Sequence, residues 1–427
     1  MDIIPNANNP VEGPIVGTQV PDHHHAPDFE LALNNRDKPF NNLDNAVRVL
    51  EHYPHWRDQI WFDDFHQRIY TTFDSDTPRE WQDSDDIAAM LWIQRQIIGL
   101  EKTSRVTVTD AIQIVAQAQN RDSLEEWLRQ SEWDGTPRTH LLFIRGFGAE
   151  ENSYTTAVSR NFMNSLAARG LVPGCQVDTA PVLEGHQGVG KSSGLRALAG
   201  PEWYAESHQD LMSKDFVINL QGKLIIEISE MDAFTRAEVE RVKGVITCRS
   251  DRYRRPYGRH AHDHPRRCVF AGTTNRDDWN RDETGARRFW PIACNQVDVG
   301  WIEDNREQLF AEAVAAFNAG EQWWITDAEI NEQARIEQDN RRAADTWEEP
   351  IQDYLTDRNR VKMADILYGV FGLEPSNQDM REQWRVGKIL RASGWRKKVE
   401  RTGDKTVKVW VRDVTPLTTD VAPLLPP

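Results

Sequence analysis

The stretch GHQGVGKS, Gly185 to Ser192, constrains this chain more than any other. It fits G-x-x-x-x-G-K-[ST] without a gap, follows the apolar run APVLE and leads into a helical pattern that opens near Lys191. A glycine-rich turn between a strand and a helix lets successive backbone N–H groups point at one spot, and the helix N-terminus adds its dipole. The spacing predicts a phosphate-binding loop built from Gly185, His186, Gln187, Gly188, Val189, Gly190, Lys191, Ser192 and Ser193. In such a loop Lys191 meets the β- and γ-phosphates and Ser192 holds Mg²⁺.

A loop of this kind works with an acid at the end of a neighbouring strand. KLIIEISEMD offers Glu227, Glu230 and Asp232. Alternation along a regular strand turns Glu227 and Glu230 to opposite faces. Glu230 is the expected water-activating base and also a candidate Mg²⁺ contact. Glu227 is either a metal-side acid or the partner of a nearby arginine. RCVFAGTTN reads as a further buried strand, whose end presents Asn275 to the γ-phosphate or the attacking water. RDETGARRFWPI then places Arg287 and Arg288 where one of them can cross a subunit interface to the transferring phosphoryl group. Either of the two can serve.

Length and patterning organise the rest. A chain of 427 residues suggests two to four domains. Residues 1–35, rich in Pro, Asn, Asp and His, read as a disordered arm. Residues 36–150 read as a mainly helical accessory or oligomerisation domain, with a small hairpin from QIWFDDF and RIYTT. Its Asp63, Asp64, Asp85 and Asp86 are expected on solvated faces and at helix starts. Residues 151–330 alternate short apolar runs with helices, the pattern of a parallel three-layer α/β domain. Residues 331–413 hold an acidic helical linker and a basic module, and 414–427 a loose tail. The apolar runs fall short of a membrane span, and MDIIPNANNP has no signal-peptide pattern. Cys175, Cys248, Cys268 and Cys294 show no CxxC spacing, so neither a zinc site nor a disulfide framework is expected. A soluble protein of the cytoplasm fits these features, with no membrane partner.

The formal charge is −16, which argues against nonspecific coating of nucleic acid. Positive charge is nevertheless gathered in two places. Asp251 to Arg267 holds six arginines, three histidines and two tyrosines. From Arg381 to Arg412, eleven basic residues stand against three acidic ones, a net of +8. The second region reads as three helices and a two-stranded hairpin turning at Thr402–Gly403–Asp404, a winged-helix pattern. Its recognition helix would offer Arg381, Arg385, Lys388 and Arg391 on one face to DNA, and its wing Lys397, Lys398, Lys405 and Lys408. A module that contacts only protein has the same pattern.

The words LEGHQGVGKS, GKLIIEISEMDAFTRAEVERVKGVIT, DRYRRPYGR, PRRCVFAGTTNRDDW and TGARRFWP, in this order, resemble the virulence-associated protein E family of phages and mobile elements, related to superfamily 3 helicases within AAA+. The likeness covers about residues 36–412. It implies a P-loop AAA+ core of the superfamily 3 helicase type, ATP and Mg²⁺ as cofactors, and a ring, expected to be a hexamer. It also implies a DNA helicase or translocase, working beside replication partners such as a primase on single-stranded or duplex DNA. In superfamily 3 enzymes a hairpin before the sensor strand points into the ring pore. Residues 249–264 hold that place, so Lys243, Arg252, Arg254, Arg255, Tyr257 and Arg259 are the expected DNA contacts. Some of these arginines could instead pair with Glu227 or line the nucleotide site. His260, His262 and His264 are expected on a solvated hairpin face.

Overall fold

The computed structural model describes residues 29–207, 213–231, 234–254, 260–277, 279–280, 286–341, 346–402 and 405–412. Asp232, Arg255, Tyr257, Arg259, the Gly403–Asp404 turn and both chain ends beyond these ranges lie outside them. The chain divides into two units, residues 1–130 and 131–427.

The first unit is more mixed than its helical periodicity suggested. Helix α1 (Leu43–His52), strands β1 (Ile60–Asp63), β2 (Arg68–Thr71) and β3 (Arg79–Glu80), helices α2 (Asp83–Gln96) and α3 (Arg105–Ala118), strand β4 (Asn120–Arg121) and helix α4 (Ser123–Gln130) follow in order. The sheet runs β3-β2-β1-β4, with β1 and β2 paired antiparallel as a hairpin. Residues 29–35 correct the expectation of a disordered arm. Phe29 and Leu31 pack on the core, and buried Asn45 exchanges hydrogen bonds with the backbone of Ala32.

Three of the acids expected in solvent are buried here. Asp63 takes the backbone N–H of His66 and of Ser123. Arg79 grips Asp85 with two nitrogens, while Asp86 accepts from the Trp81 indole and the Thr109 hydroxyl. A buried carboxylate is tolerable only when such donors replace water. These acids therefore hold the unit together.

The second unit begins ahead of the expected boundary at 150. Glu312 accepts the backbone N–H groups of Arg138 and Thr139, and the Thr139 hydroxyl. A Cβ added at Gly194 would lie 2.8 Å from the ring of Phe147, so the helix after the loop packs directly on residues 131–150. Then come helix α5 (Ser153–Leu171), strand β5 (Ala180–Glu184), helix α6 (Lys191–Ala199), strand β6 (Tyr204–Ser207), helix α7 (Lys214–Asn219), strand β7 (Ile225–Ile228) and helix α8 (Arg236–Thr247). Strands β8 (Ser250–Tyr253) and β9 (His262–Pro265) form a separate antiparallel pair. Strands β10 (Val269–Thr274) and β11 (Phe289–Ala293) and helices α9 (Val299–Asn318) and α10 (Ala328–Asn340) complete the core.

Its sheet has the order β11-β5-β10-β7-β6, and all four pairings are parallel. Strands buried on both faces read as continuous apolar runs, which is why β5, β7 and β10 were visible in the sequence. Strands β6 and β11 were not. Pro291 sits inside β11, a position that proline tolerates only at an edge; β11 is an edge strand, paired to β5 alone.

Residues from 346 onward carry helix α11 (Glu348–Leu355), strand β12 (Arg360–Val361), helices α12 (Met363–Phe371) and α13 (Met380–Ala392), and strands β13 (Trp395–Thr402) and β14 (Lys405–Arg412). β13 and β14 pair from Trp395↔Arg412 to Thr402↔Lys405. β12 adds a third strand on β14, which sequence reading missed. Ile366, Ile389, Leu390 and Trp410 lie in a core of their own. Among the described residues no helix is long and apolar enough to cross a membrane.

Candidate functional site

An open cleft of about 310 Å³ lies at the C-terminal ends of β5, β7 and β10, where open parallel sheets bind ligands. Gln187, Gly188, Gly190, Lys191, Ser192 and Ser193 line it from the loop side. Gly190 has φ +97 and a Cβ there would stand 3.2 Å from Val297, so the turn into α6 excludes larger residues. Gly185, His186 and Val189 form the back of the loop. The Lys191 ammonium donates to the carbonyls of Gly185 and His186 and, at 3.3 Å, to the side-chain oxygen of Asn275. Val189 accepts at its carbonyl from Val297.

Glu227 is wholly buried at the floor of the cleft. Among the described residues its partners are hydroxyls. Oε1 accepts from Ser192 at 2.8 Å and from Thr273 at 2.6 Å; Oε2 accepts from Tyr204. Burial, and then the bond to Glu227, raise the Tyr204 phenol well above its ordinary pKa, so it stays a donor. Three strands and the loop helix thus converge on one carboxylate.

The regular strand that would turn Glu227 and Glu230 to opposite faces does not reach Glu230. β7 ends at Ile228, and Glu230 takes φ +54, a backbone conformation rare outside glycine. With the strand no longer regular, alternation stops and both glutamates line the same cleft. Glu206, opposite Glu227 in the β6–β7 register, also lines it. Sequence reading missed Glu206, Tyr204 and Thr273. The period-2 spacing of Tyr204 and Glu206 in WYAES was the available signal, and it was too short to separate from a loop.

Arg287 is exposed and Arg288 half-buried on the turn before β11, and neither lines the cleft. The donor set fits a polyphosphate with Mg²⁺: an ammonium inside a turn of backbone amides, beside a serine hydroxyl and a carboxylate. Mg²⁺ favours one or two carboxylates shared with phosphate oxygens over an all-protein cage. Among the described residues no cluster of His, Cys, Asp and Glu forms such a cage.

The basic hairpin splits into a root and a rim. Arg266 is buried, chelates Asp251 through two nitrogens and donates to the Val245 carbonyl at the end of α8. Arg267 is buried against the Gly170 carbonyl. Arg252 is exposed and lies 3.3 Å from Asp263 across the hairpin; Arg254 is exposed. Two expectations are corrected here. Lys243 is 5% exposed with its ammonium 2.8 Å from Glu240, so it does not offer its charge to a phosphate. His264 is buried, its ring tilted 30° against that of Tyr253 with centroids 4.2 Å apart.

In the C-terminal module Arg385 lies flat over the Trp347 ring and donates to the Thr346 hydroxyl. Lys388 is half-buried, whereas Arg381, Arg391, Arg396, Lys397 and Lys398 are exposed. Trp384, which sequence reading passed over, is 54% exposed on the same helix.

No curated protein matches the sequence. Among solved structures the chain is similar to the apo structure of the NrS-1 C terminal region (305–718), at 15% identity and TM-score 0.47, covering 83% of this chain and 95% of that one. An A-form apo structure of the same region gives 16% identity and TM-score 0.45, covering 83% and 96%. The family model of the virulence-associated protein E-like domain matches residues 128–343, just over half of the chain and all of the cleft. The chain belongs to the virulence-associated protein E-like family.

Proposed function

We propose that this protein is an ATP-dependent DNA translocase or helicase, built on an AAA+ P-loop core with a C-terminal winged-helix module. It would act as a ring, a hexamer, in the replication of a phage or mobile element inside its host's cytoplasm. The observation that carries the reading is the convergence of Lys191, Ser192, Glu227 and Asn275 at the end of a parallel sheet ordered β11-β5-β10-β7-β6.

In this reading Lys191 and the loop amides hold the β- and γ-phosphates. Ser192 is the protein ligand for Mg²⁺, and Glu227 orients its hydroxyl. Mg²⁺, where held beside Ser192, would supply charge neutralisation for the phosphates. Glu230 removes a proton from the attacking water, and Asn275 positions it. Arg287 or Arg288 serves the neighbouring subunit, an effect worth roughly 10³–10⁵ in turnover where it operates. The hairpin would couple to the site through α8, which follows Glu230 in the chain and whose last turn carries the Val245 carbonyl held by Arg266. Arg252 and Arg254 on its rim then meet backbone phosphates, as does the winged helix.

Steady-state ATPase with and without single-stranded and duplex DNA tests this. DNA should stimulate the wild type, Lys191→Ala should lose about 100-fold or more of the turnover, and Arg254→Ala should keep basal turnover but lose stimulation. Turnover indifferent to DNA would sink the motor and favour a protein-remodelling ATPase. The exposed charge of the C-terminal module supports a second reading, an ATP-assembled initiator that binds duplex DNA. It predicts sequence-specific binding with little unwinding.

A further inference from the structure

The residue before the phosphate loop is a buried carboxylate. Glu184, 4% exposed, ends β5, and the next carbonyl, that of Gly185, accepts the Lys191 ammonium. Burial pushes the Glu184 carboxyl up from its ordinary pKa, and neighbouring donors offset this only in part. Its donors come from far away in the chain. Trp279 Nε1 donates to Oε1 at 2.7 Å, and Arg341 Nε reaches both oxygens at 3.1 and 3.0 Å.

Those two residues are joined to the rest of the site. Trp279 lies four positions beyond Asn275. Asn280 donates its backbone N–H to the Arg341 carbonyl at 3.0 Å and its side-chain amide to the Gln338 carbonyl at 3.3 Å. Gln338 donates at 2.8 Å to the carbonyl of Phe289, the residue directly after Arg288. The last turn of α10 and Arg341 therefore hold the loop root, the segment after Asn275 and the strand after the arginine pair. α10 adds no strand to the sheet, so these links come from outside the strand pairing.

We propose that Arg341 is a positioning residue for the phosphate site: its buried pair with Glu184, steadied by Trp279, sets where the loop begins and so how well it binds a nucleotide. The proposal rests on the reading of the cleft as a nucleotide site. It places Arg341 outside the reacting atoms, acting through Glu184.

The test measures equilibrium binding of a fluorescent ADP analogue, the KM and kcat of ATP hydrolysis, and the thermal midpoint, on the full chain. Arg341→Gln should weaken nucleotide binding and raise KM by about tenfold, within the range of couplings seen for contacting residues, while kcat at saturation changes about twofold or less. Arg341→Lys should fall between that variant and wild type. Because an unpaired buried charge can unfold a chain, two further variants keep the proposal open to failure. Trp279→Phe retains the ring, loses one donor and should weaken binding by a smaller factor. The double variant Glu184→Gln, Arg341→Gln should be no worse than Arg341→Gln alone, since that single change already removes both the Glu184 contact and the pair of Arg341 with Glu337. If these variants melt lower yet bind nucleotide as tightly as wild type, the pair is only structural and the proposal fails. If Lys191→Ala also binds the analogue like wild type, the cleft is not the phosphate site, and the function reading falls together with this proposal.

Discussion

The two basic regions of this chain use their charge differently. In the hairpin region the arginines nearest the core turn inward: Arg266 and Arg267 are buried, while exposed Arg249 donates to the Gly174 carbonyl. In the C-terminal module most of the charge stays outside, on Arg381, Arg391, Arg396, Lys397 and Lys398. Among the described side chains, Arg385, bound to Trp347 and Thr346, and half-buried Lys388 depart from this. A hairpin standing off the sheet needs an anchor, and a guanidinium with five donors can fasten several carbonyls and a carboxylate at once. The C-terminal module has its own apolar core and needs no such anchor. A count of positive residues is therefore not a count of phosphate contacts.

This contrast breaks most visibly at Arg266. Arg266→Ala leaves Asp251 buried and unpaired, so unfolding by denaturant should show a loss of about 3–5 kcal/mol. A loss near zero would mean that the hairpin root is not held as described. Next comes Arg385→Ala, which removes a stacked cation from Trp347 and should cost roughly 1–2 kcal/mol in the same measurement. DNA affinity measured on the folded variant should move less than its stability. The smallest effect on stability is expected at the exposed positions. Arg252→Ala gives up an exposed pair worth at most about 1 kcal/mol, and Lys397→Ala should stay within about 0.5 kcal/mol of wild type. For Lys397→Ala, the slope of log affinity against log salt for duplex DNA should fall by about one. An unchanged slope would move that lysine off the DNA surface.

The buried acids give the same lesson in the opposite sign. Asp63, Asp85 and Asp86 read as solvated because acidic residues usually are, yet each is enclosed by N–H, ring or hydroxyl donors. Glu227 is enclosed as well, but by three hydroxyls and at the floor of an open cleft. The donors, rather than the burial, separate a structural acid from a candidate site acid.

Contiguous residues determined much of this protein. The loop from Gly185 to Ser193, the strands ending at Glu184 and Thr274, and the order of helices and hairpin in the C-terminal module follow from local spacing, because periodicity along a short segment reports which face is buried. Strand order, the meeting of Ser192, Tyr204 and Thr273 on Glu227, and the reach of Arg341 to Glu184 were decided only by the tertiary structure. Parallel pairing joins segments that share no local signal. A single residue such as Glu230, leaving the strand at φ +54, changes which side chains share a face. The partners of the site carboxylates stand 23 to 157 positions away, and only the folded sheet brings them together.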